Sequence, residues 1–408
     1  MTGSTTLGRV AFFRKGAGLP KSALRPDGQF RCIHYGELFT KYGAVILTPE
    51  SRTDADLPIR SMAGDVLMPT SDVTPRGLAT ASAILQDGIV LGADILIIRS
   101  DPACVDSRYL AHAIRYDANQ VLKLVRGSTV YHLYATDMRQ FELILPSKSQ
   151  QTRVADVLHD VDHLIATLER LIAKKQAIKQ GMMQQLLTGR TRLPGFTEAW
   201  SDIRLGNHVS YVKTVALSRA QLDTKSPIKY LHYGDIHTRS SILLDAAIEE
   251  MPRANMNLAA RAGQLRRGDL VFADASEDPA GVGKSIEIAD TPDTGVVPGL
   301  HTIAARFDKS VLADGFKAYL QFIPSFRDQL LRLAAGTKVL ATTRSYISSI
   351  TLTLPAVSEQ EAIAEVLHDA EREIEALRVR LSKAQDMKTG MMQQLLTGRV
   401  RLPVEASA

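Results

Sequence analysis

The side chains whose types and spacing could do chemistry crowd into one stretch of this 408-residue chain, Asp274 to Ser285. Asp274, Glu277 and Asp278 imitate the carboxylates of a metal-dependent nuclease. No lysine stands in an adjacent expected strand to support them, so a polar turn is the reading adopted. Gly281-Val282-Gly283-Lys284-Ser285 approaches the phosphate-cradling pattern GxxxxGK[ST], but the first glycine of that pattern falls on Asp278, and an acid there repels phosphate. ATP binding by this loop is not expected. Asp101 to Cys104 is the nearest approach to the Asn/Asp-Pro-Pro-aromatic segment that holds an amine for methyl transfer, and it lacks the second proline and the ring. Cys32 and Cys104 form no CxxC, and His232 with His237 has no third ligand nearby; buried free thiols and no structural metal are expected. No catalytic site is expected among these residues.

Composition agrees with a soluble globular protein, 45% hydrophobic and 23% charged. At this length two domains are expected. No window approaches the roughly 18 uncharged apolar residues needed to span a bilayer. Met1 to Val10 does not read as a secretory signal, so no membrane association and a cytoplasmic location are expected. The net charge of +5 is spread as +3 over residues 1–148, +3 over 149–195, +1 over 196–357 and −2 over 358–408. Nucleic-acid contact would therefore come from local patches on folded surfaces, not from a polycationic arm.

What organises the chain is a repeat. Residues 145–195 and 354–404 align without a gap at an offset of 209, and the block MMQQLLTGR is identical in both. Each copy is expected to be a long helix. A capping box is expected at Ser358 and Glu361, and the helices are expected to stop at Gly189 and Gly398. Val154, Leu158, Val161, Ile165, Leu168 and Ile172 form a heptad seam, matched by Ile363, Leu367, Ala370, Ile374, Leu377 and Leu381. Val157, Leu164, Leu171 and Ile178 are expected to widen the buried stripe. A helix from about Ser149 to Thr188 is roughly 58 Å long, a ruler. The identical ends, Gly181, Met182, Met183, Leu186 and Leu187 in one copy and Gly390, Met391, Met392, Leu395 and Leu396 in the other, read as two equivalent docking sites for one partner.

Two dissimilar heads precede the two repeats. Each carries HYG and an acid (His34 to Glu37; His232 to Asp235), then a GD strand opening (Gly64, Asp65; Gly268, Asp269), then a polar turn (Ser71, Asp72; Ser276, Glu277). Each ends on a glycine turn and an apolar strand, Gly127 to Val130 then Phe141 to Leu145, and Gly336 to Val339 then Ile350 to Leu354. Asp94 to Ile98 reads as a strand, and Ser107 to Ile114 and Phe316 to Leu333 as helices. The fold expected is α/β, mixed α+β heads with long helices. It comprises a recognition domain 1–148, spacer 149–195, second recognition domain 196–357 and spacer 358–408. Antiparallel packing of the spacers into a coiled coil would relate the heads by an approximate two-fold axis, and unlike heads so placed can read two unlike half-sites of a split, asymmetric sequence.

On the duplicated MMQQLLTG with RLP, on Trp200, Leu205 and Gly206, on YLHYGDIHT, GDLVFADASEDPAGVGKSIEI and GLHT, and on KGAGLPKS with IHYGELFTKYG, the whole chain resembles the specificity (S) subunit of type I restriction-modification systems. The first head departs from the pattern in lacking the tryptophan-led opening of the second, starting abruptly at Leu7 and Gly8. The resemblance implies a non-catalytic subunit that binds double-stranded DNA, one half-site per head. It implies docking of two methyltransferase (M) subunits on the spacers and of restriction (R) subunits through the complex. S-adenosylmethionine, ATP and Mg²⁺ would belong to those partners and no cofactor to this chain. A protein-interaction adaptor on a coiled-coil arm, or a self-sufficient restriction enzyme or methylase, are the competing readings. The DNA-contact candidates are Lys15, Lys21, Ser22, Thr40, Lys41, Tyr42, Arg76 and Arg126 in head one. In head two they are His232, Tyr233, His237, Thr238, Arg239, Ser276, Lys284, His301, Lys338, Arg344 and Ser345.

Overall fold

The computed structural model describes residues 3–278, 281–333 and 340–403. It divides into two units, residues 1–171 with 377–408, and residues 172–376. Each unit contains one head, part of the first long helix, Lys148–Leu186, and part of the second, Val357–Leu395. Among the described residues no helix is long and apolar enough to cross a membrane.

In unit one the centre is a five-stranded sheet in the order Ala11–Lys15, Ile95–Ser100, Asp65–Pro69, Ser82–Ile84, Val45–Ile46. Every neighbouring pair is antiparallel except the last. The two central strands read as continuous apolar runs because both faces are covered and side chains alternate between them. Val66, Met68, Leu96 and Ile98 pack against Leu110, Ala111 and Ile114 of the helix Ser107–Tyr116, while Leu67, Ile95 and Ile97 face Ile33, Leu38 and Ile46. Burial of each such side chain contributes about 1.5 to 3 kcal/mol.

Unit two repeats that topology with different residues. Its order is Val209–Val212, Thr302–Phe307, Leu270–Ala273, Ser285–Asp290, Leu243–Asp245, again antiparallel but for the last pair. Leu270, Phe272, Ile303 and Ala305 lie on one face, Val271, Ala273 and Ala304 on the other. The GD motifs now have a cause. Gly64 and Gly268 take φ of +95° and +88°, where a Cβ is disfavoured, and the following carboxylates are buried. Asp65 receives both arms of Arg99 at 2.6 and 2.7 Å, and Asp269 those of Arg306 at 2.8 and 2.7 Å.

The missing tryptophan of head one changes little. Gly3–Thr6 pairs antiparallel with Glu142–Leu145 as Ser201–Arg204 does with Thr351–Leu354, and Leu7, like Leu205, is fully buried. Trp200 instead packs over Gly189 and beneath Arg192. The expected helix Phe316 to Leu333 is a 3-10 turn, Lys317–Phe322, and a helix, Pro324–Leu333, because Pro324 restricts Ile323 and starts a new helix.

Within unit one the start of the first long helix packs antiparallel on the end of the second, Val154, Ala155 and Leu158 against Leu395 and Leu396. Within unit two Met183, Leu186 and Leu187 pack on Ile363, Ala364 and Leu367. A glutamine at the same position of each repeat fixes helix to head: Gln151 accepts from the Asp106 amide and donates to the Cys104 carbonyl, and Gln360 accepts from the Ala313 amide and donates to the Val311 carbonyl. The helices stop at Leu186 and Leu395, with Gly189 and Gly398 at φ of +69° and +70° closing them.

Three expectations are corrected. The second helix begins at Val357, so Ser358 and Glu361 lie inside it and make no capping box; the first amide bonds go to the Ala356 carbonyl. Leu164, Leu171 and Ile178 are 45%, 36% and 45% exposed, because a two-helix seam buries only a narrow line of each helix. Cys104 is exposed; Cys32 is buried, and burial pushes its thiol up to about 11.

Candidate nucleic-acid interface

Among the described residues each head carries one non-glycine residue with φ in the left-handed region, and the two stand at the same place. Asp94 (φ +59°) precedes Ile95–Ser100 and His301 (φ +53°) precedes the matching strand Thr302–Phe307. The carbonyl of Asp94 accepts from the Thr70 amide at 2.8 Å, and that of His301 from the Asp274 amide at 3.1 Å. A side chain in this conformation costs about 1–2 kcal/mol, and such outliers concentrate at functional sites. Both residues border a cavity.

The cavity of head two, about 480 Å³, is lined by Tyr233, His237, Ser276, Glu277, Asp278 and His301. Tyr233 packs edge-on against His237 and His301, with centroids 6.0 and 5.3 Å away. His237 Nε2 lies 2.9 Å from the Ala275 carbonyl, His301 Nδ1 lies 3.1 Å from Asp274 Oδ1, and the Ser276 hydroxyl donates to the Asp278 carbonyl. A carboxylate beside Nδ1 selects the tautomer that carries the proton there and leaves Nε2 an acceptor. In head one a cavity of about 550 Å³ includes Lys15, Thr70, Ser71, Asp94, His132 and Tyr134 in its lining. Lys15 Nζ lies 3.3 Å from Asp94 Oδ1, and Ser71 Oγ 2.9 Å from His132 Nδ1.

Of the sequence candidates, this arrangement gathers Lys15 in head one and Tyr233, His237, Ser276 and His301 in head two. Several others hold the scaffold. His232 caps the helix Tyr233–Thr238, its Nδ1 accepting from the Gly234 amide while Asp235 accepts from the His232 amide; His34 and Glu37 do the same in head one. The HYG-acid motif is thus a reciprocal helix cap. Thr238 bonds the Gly234 carbonyl and Thr40 the Gly36 carbonyl. Lys284 donates to the carbonyls of His237 and Arg239, and burial lowers its pKa, so the apparent phosphate loop is a lysine closing a helix end. Arg239 pairs with Glu249, Lys41 with buried Glu37 at 2.8 Å, and Arg126 with buried Asp137 at 2.5 Å. The Tyr42 hydroxyl accepts from the Glu50 amide.

Lys21, Ser22 and Arg76 are exposed on short 3-10 turns. Arg344 stacks on Tyr211 beside Ser345, whose hydroxyl meets that of Thr343. Lys338 lies outside the described residues, as does the turn Gly336 to Val339. Sequence reasoning missed Asp94, Thr70, Ser71 and His132. Only the polar turn after each GD strand pointed toward them.

The expected docking block is also placed. Met183, Leu186, Leu187, Leu395 and Leu396 are buried in the chain's own cores, with Met182, Met391 and Met392 half-buried against them. Ile178 and Met387, related by the 209-residue offset, are 45% and 54% exposed. Gly181 and Gly390 follow each by three residues, inside a helix, and a Cβ at either would meet nothing within 4 Å.

Two heads of one topology, each continuous with part of a duplicated helix, define a two-headed α/β protein. Residues 7–180 match the model of the type I restriction modification DNA specificity domain. The chain is 23% identical over 324 residues to the type I restriction enzyme MjaVIII specificity subunit of Methanocaldococcus jannaschii, a match covering 77% of this chain and 75% of that protein. Its fold is similar to the crystal structure of the type I restriction-modification S subunit from M. genitalium, with a TM-score of 0.64, 13% identity and coverage of 97% and 96% of the two chains. A chain solved for complex assembly and conformational transition of the type I system gives a TM-score of 0.51 at 17% identity, covering 98% of each. The resemblance is therefore to type I specificity subunits, over nearly the whole chain.

Proposed function

We propose that this chain is the non-catalytic, sequence-reading subunit of a type I restriction-modification complex, each head reading one half of an asymmetric, interrupted DNA target. The observation that carries this reading is the pair of cavities. One backbone arrangement is presented twice, by Asp94 with Lys15 and by His301 with Asp274, so the frame is shared and the chemistry differs. Unlike side chains on like frames are what two unlike half-sites require. Of the remaining contact candidates, the exposed Lys21, Arg76 and Arg344 would serve phosphates.

Two methyltransferase subunits would dock on the long helices, one per repeat, and restriction subunits would join through the complex. Gly181 and Gly390 support this. A glycine in a helix interior costs about 0.5–1 kcal/mol relative to alanine, and among the described residues nothing stands within 4 Å of a Cβ at either one. Close approach by another backbone explains why both are glycine, with Ile178, Met182, Met387 and Met391 as adaptable apolar neighbours. S-adenosylmethionine, ATP and Mg²⁺ would be held by the partners, in the cytoplasm.

The test is selection. The chain co-purified with the methyltransferase encoded beside it is mixed with random duplex DNA, and the retained fraction is sequenced. A motif of two different halves around an unread gap is expected; no enriched sequence, or one contiguous block, contradicts the reading.

A further inference from the structure

Resting on the reading above, we propose that Asp94 and His301 are the specificity-determining positions of their heads. With Lys15, Asp94 reads a G·C pair, and His301 accepts the exocyclic amino group of adenine or cytosine. Three observations converge on these two residues. Among the described residues they are the non-glycine positions with positive φ, and they occupy equivalent points on matching sheets. Glycine would relieve the backbone there, so what is retained is the side chain. Each side chain borders the cavity of its head and has a charged partner, Asp94 in Lys15 of the same lining and His301 in Asp274.

The base class follows from donors and acceptors. In the major groove a G·C pair shows two acceptors on guanine, N7 and O6, and one donor on cytosine, the N4 amino group. Lys15 supplies a donor and Asp94 an acceptor 3.3 Å apart, the complementary pattern. An A·T pair shows an acceptor, a donor, an acceptor and then the thymine methyl, so the ammonium meets adenine N7 or thymine O4 but never two adjacent acceptors, and with the carboxylate on adenine N6 the pair makes one contact fewer than on a G·C pair. In head two a His301 ring that donates its Nδ1 proton to Asp274 carries Nε2 as an acceptor, which would take the amino hydrogen of adenine N6 or cytosine N4. Guanine and thymine present no such donor in that groove. Ser276 lies across the same cavity, where its backbone and the loop it closes limit how the base edge enters.

Asp94→Gly and His301→Gly test the idea, since glycine adopts the required φ and leaves the fold intact. The full chain with its methyltransferase partner is carried through the same selection, and binding to the wild-type target is titrated. Asp94→Gly should relax one G·C position in one half of the motif and leave the other half unchanged. His301→Gly should relax one adenine or cytosine position in the opposite half. Each should weaken binding to the wild-type target by about 5- to 150-fold, the range for one lost base contact. Circular dichroism and elution volume should match the wild type, and a variant that fails this check is replaced by Asp94→Asn or His301→Asn, since asparagine also accepts the left-handed conformation. An unchanged motif in a folded variant overturns the assignment, as does relaxation at an A·T position for Asp94 or at a guanine or thymine for His301. If the wild-type complex itself enriches no sequence, the DNA-reading function falls first; if it enriches a split motif that the variants leave alone, only this inference falls.

Discussion

Lys388 of the second long helix pairs with Asp162 of the first at 2.6 Å, and the positions 209 residues away, Lys179 and Glu371, form the corresponding pair. The duplication has thus kept an acid early and a lysine late in each helix, so that antiparallel packing brings unlike charges together in both units. Reversing one partner, Lys388→Asp, should cost about 1 kcal/mol, and adding Asp162→Lys should recover about 0.5–1 kcal/mol. Urea titration of the four variants gives the coupling energy, and zero coupling would remove the pair from the account of register.

His112 in unit one is fully buried, neither ring nitrogen has a hydrogen-bond partner among the described residues, and Nε2 lies 3.9 Å from Asp162. Burial holds its pKa down at about 4, against the opposing pull of Asp162. The unfolded chain takes up this proton near 6.5 and the folded chain only near 4, so the group contributes stability above pH 6.5 that is lost as the pH falls from 6.5 to 4. His112→Phe should be neutral or stabilising at pH 7.5 and should flatten the acid limb of a melting-temperature profile. An unaltered acid limb would contradict this.

Arg99 and Arg306 neutralise carboxylates that have almost no exposure. Removing one arginine leaves a buried, unpaired charge, at a cost of about 3–5 kcal/mol. Arg99→Ala should accelerate amide hydrogen exchange in the strands Asp65–Pro69 and Ile95–Ser100, and Arg306→Ala in Leu270–Ala273 and Thr302–Phe307. Equal acceleration of both sheets by either variant would contradict the separate cores.

Gly181→Ala and Gly390→Ala should each raise helix stability by about 0.5–1 kcal/mol in the chain alone. Gly181→Arg and Gly390→Arg should leave the fold intact and each remove one methyltransferase copy from the complex, read as mass by light scattering. Two copies retained in the double arginine variant would move the docking surface elsewhere.

The long helices were legible because heptad spacing and an identical block are local, repeated signals. Their boundaries were misjudged by about two residues at Ser358, since the carbonyl of Ala356 serves as the first acceptor without any side-chain cap to announce it. The two heads were legible only as an ordered set of short motifs. Alternation was hidden in strands such as Asp65–Pro69, where both faces are buried and every residue is apolar or paired. The cavities were half legible: the turn at Ser71 and Ser276 and the side chain of His301 were visible, whereas Asp94 acquires meaning from a backbone dihedral that residue type does not encode. Lys284 was misleading for the opposite reason, because a lysine that closes a helix reads in sequence like one that holds a phosphate.

If the chain reads a split target as proposed, the length of the duplicated helices should set the gap between the two half-sites. One heptad continuing the seam, inserted after Leu171 and again after Ala376, lengthens both helices by about 10.5 Å, or about 3 base pairs of duplex. Selection of DNA by the lengthened complex is predicted to return the same two half-sites with the gap wider by about 3 base pairs. A gap of unchanged length, or altered half-sites at any gap, would contradict the claim.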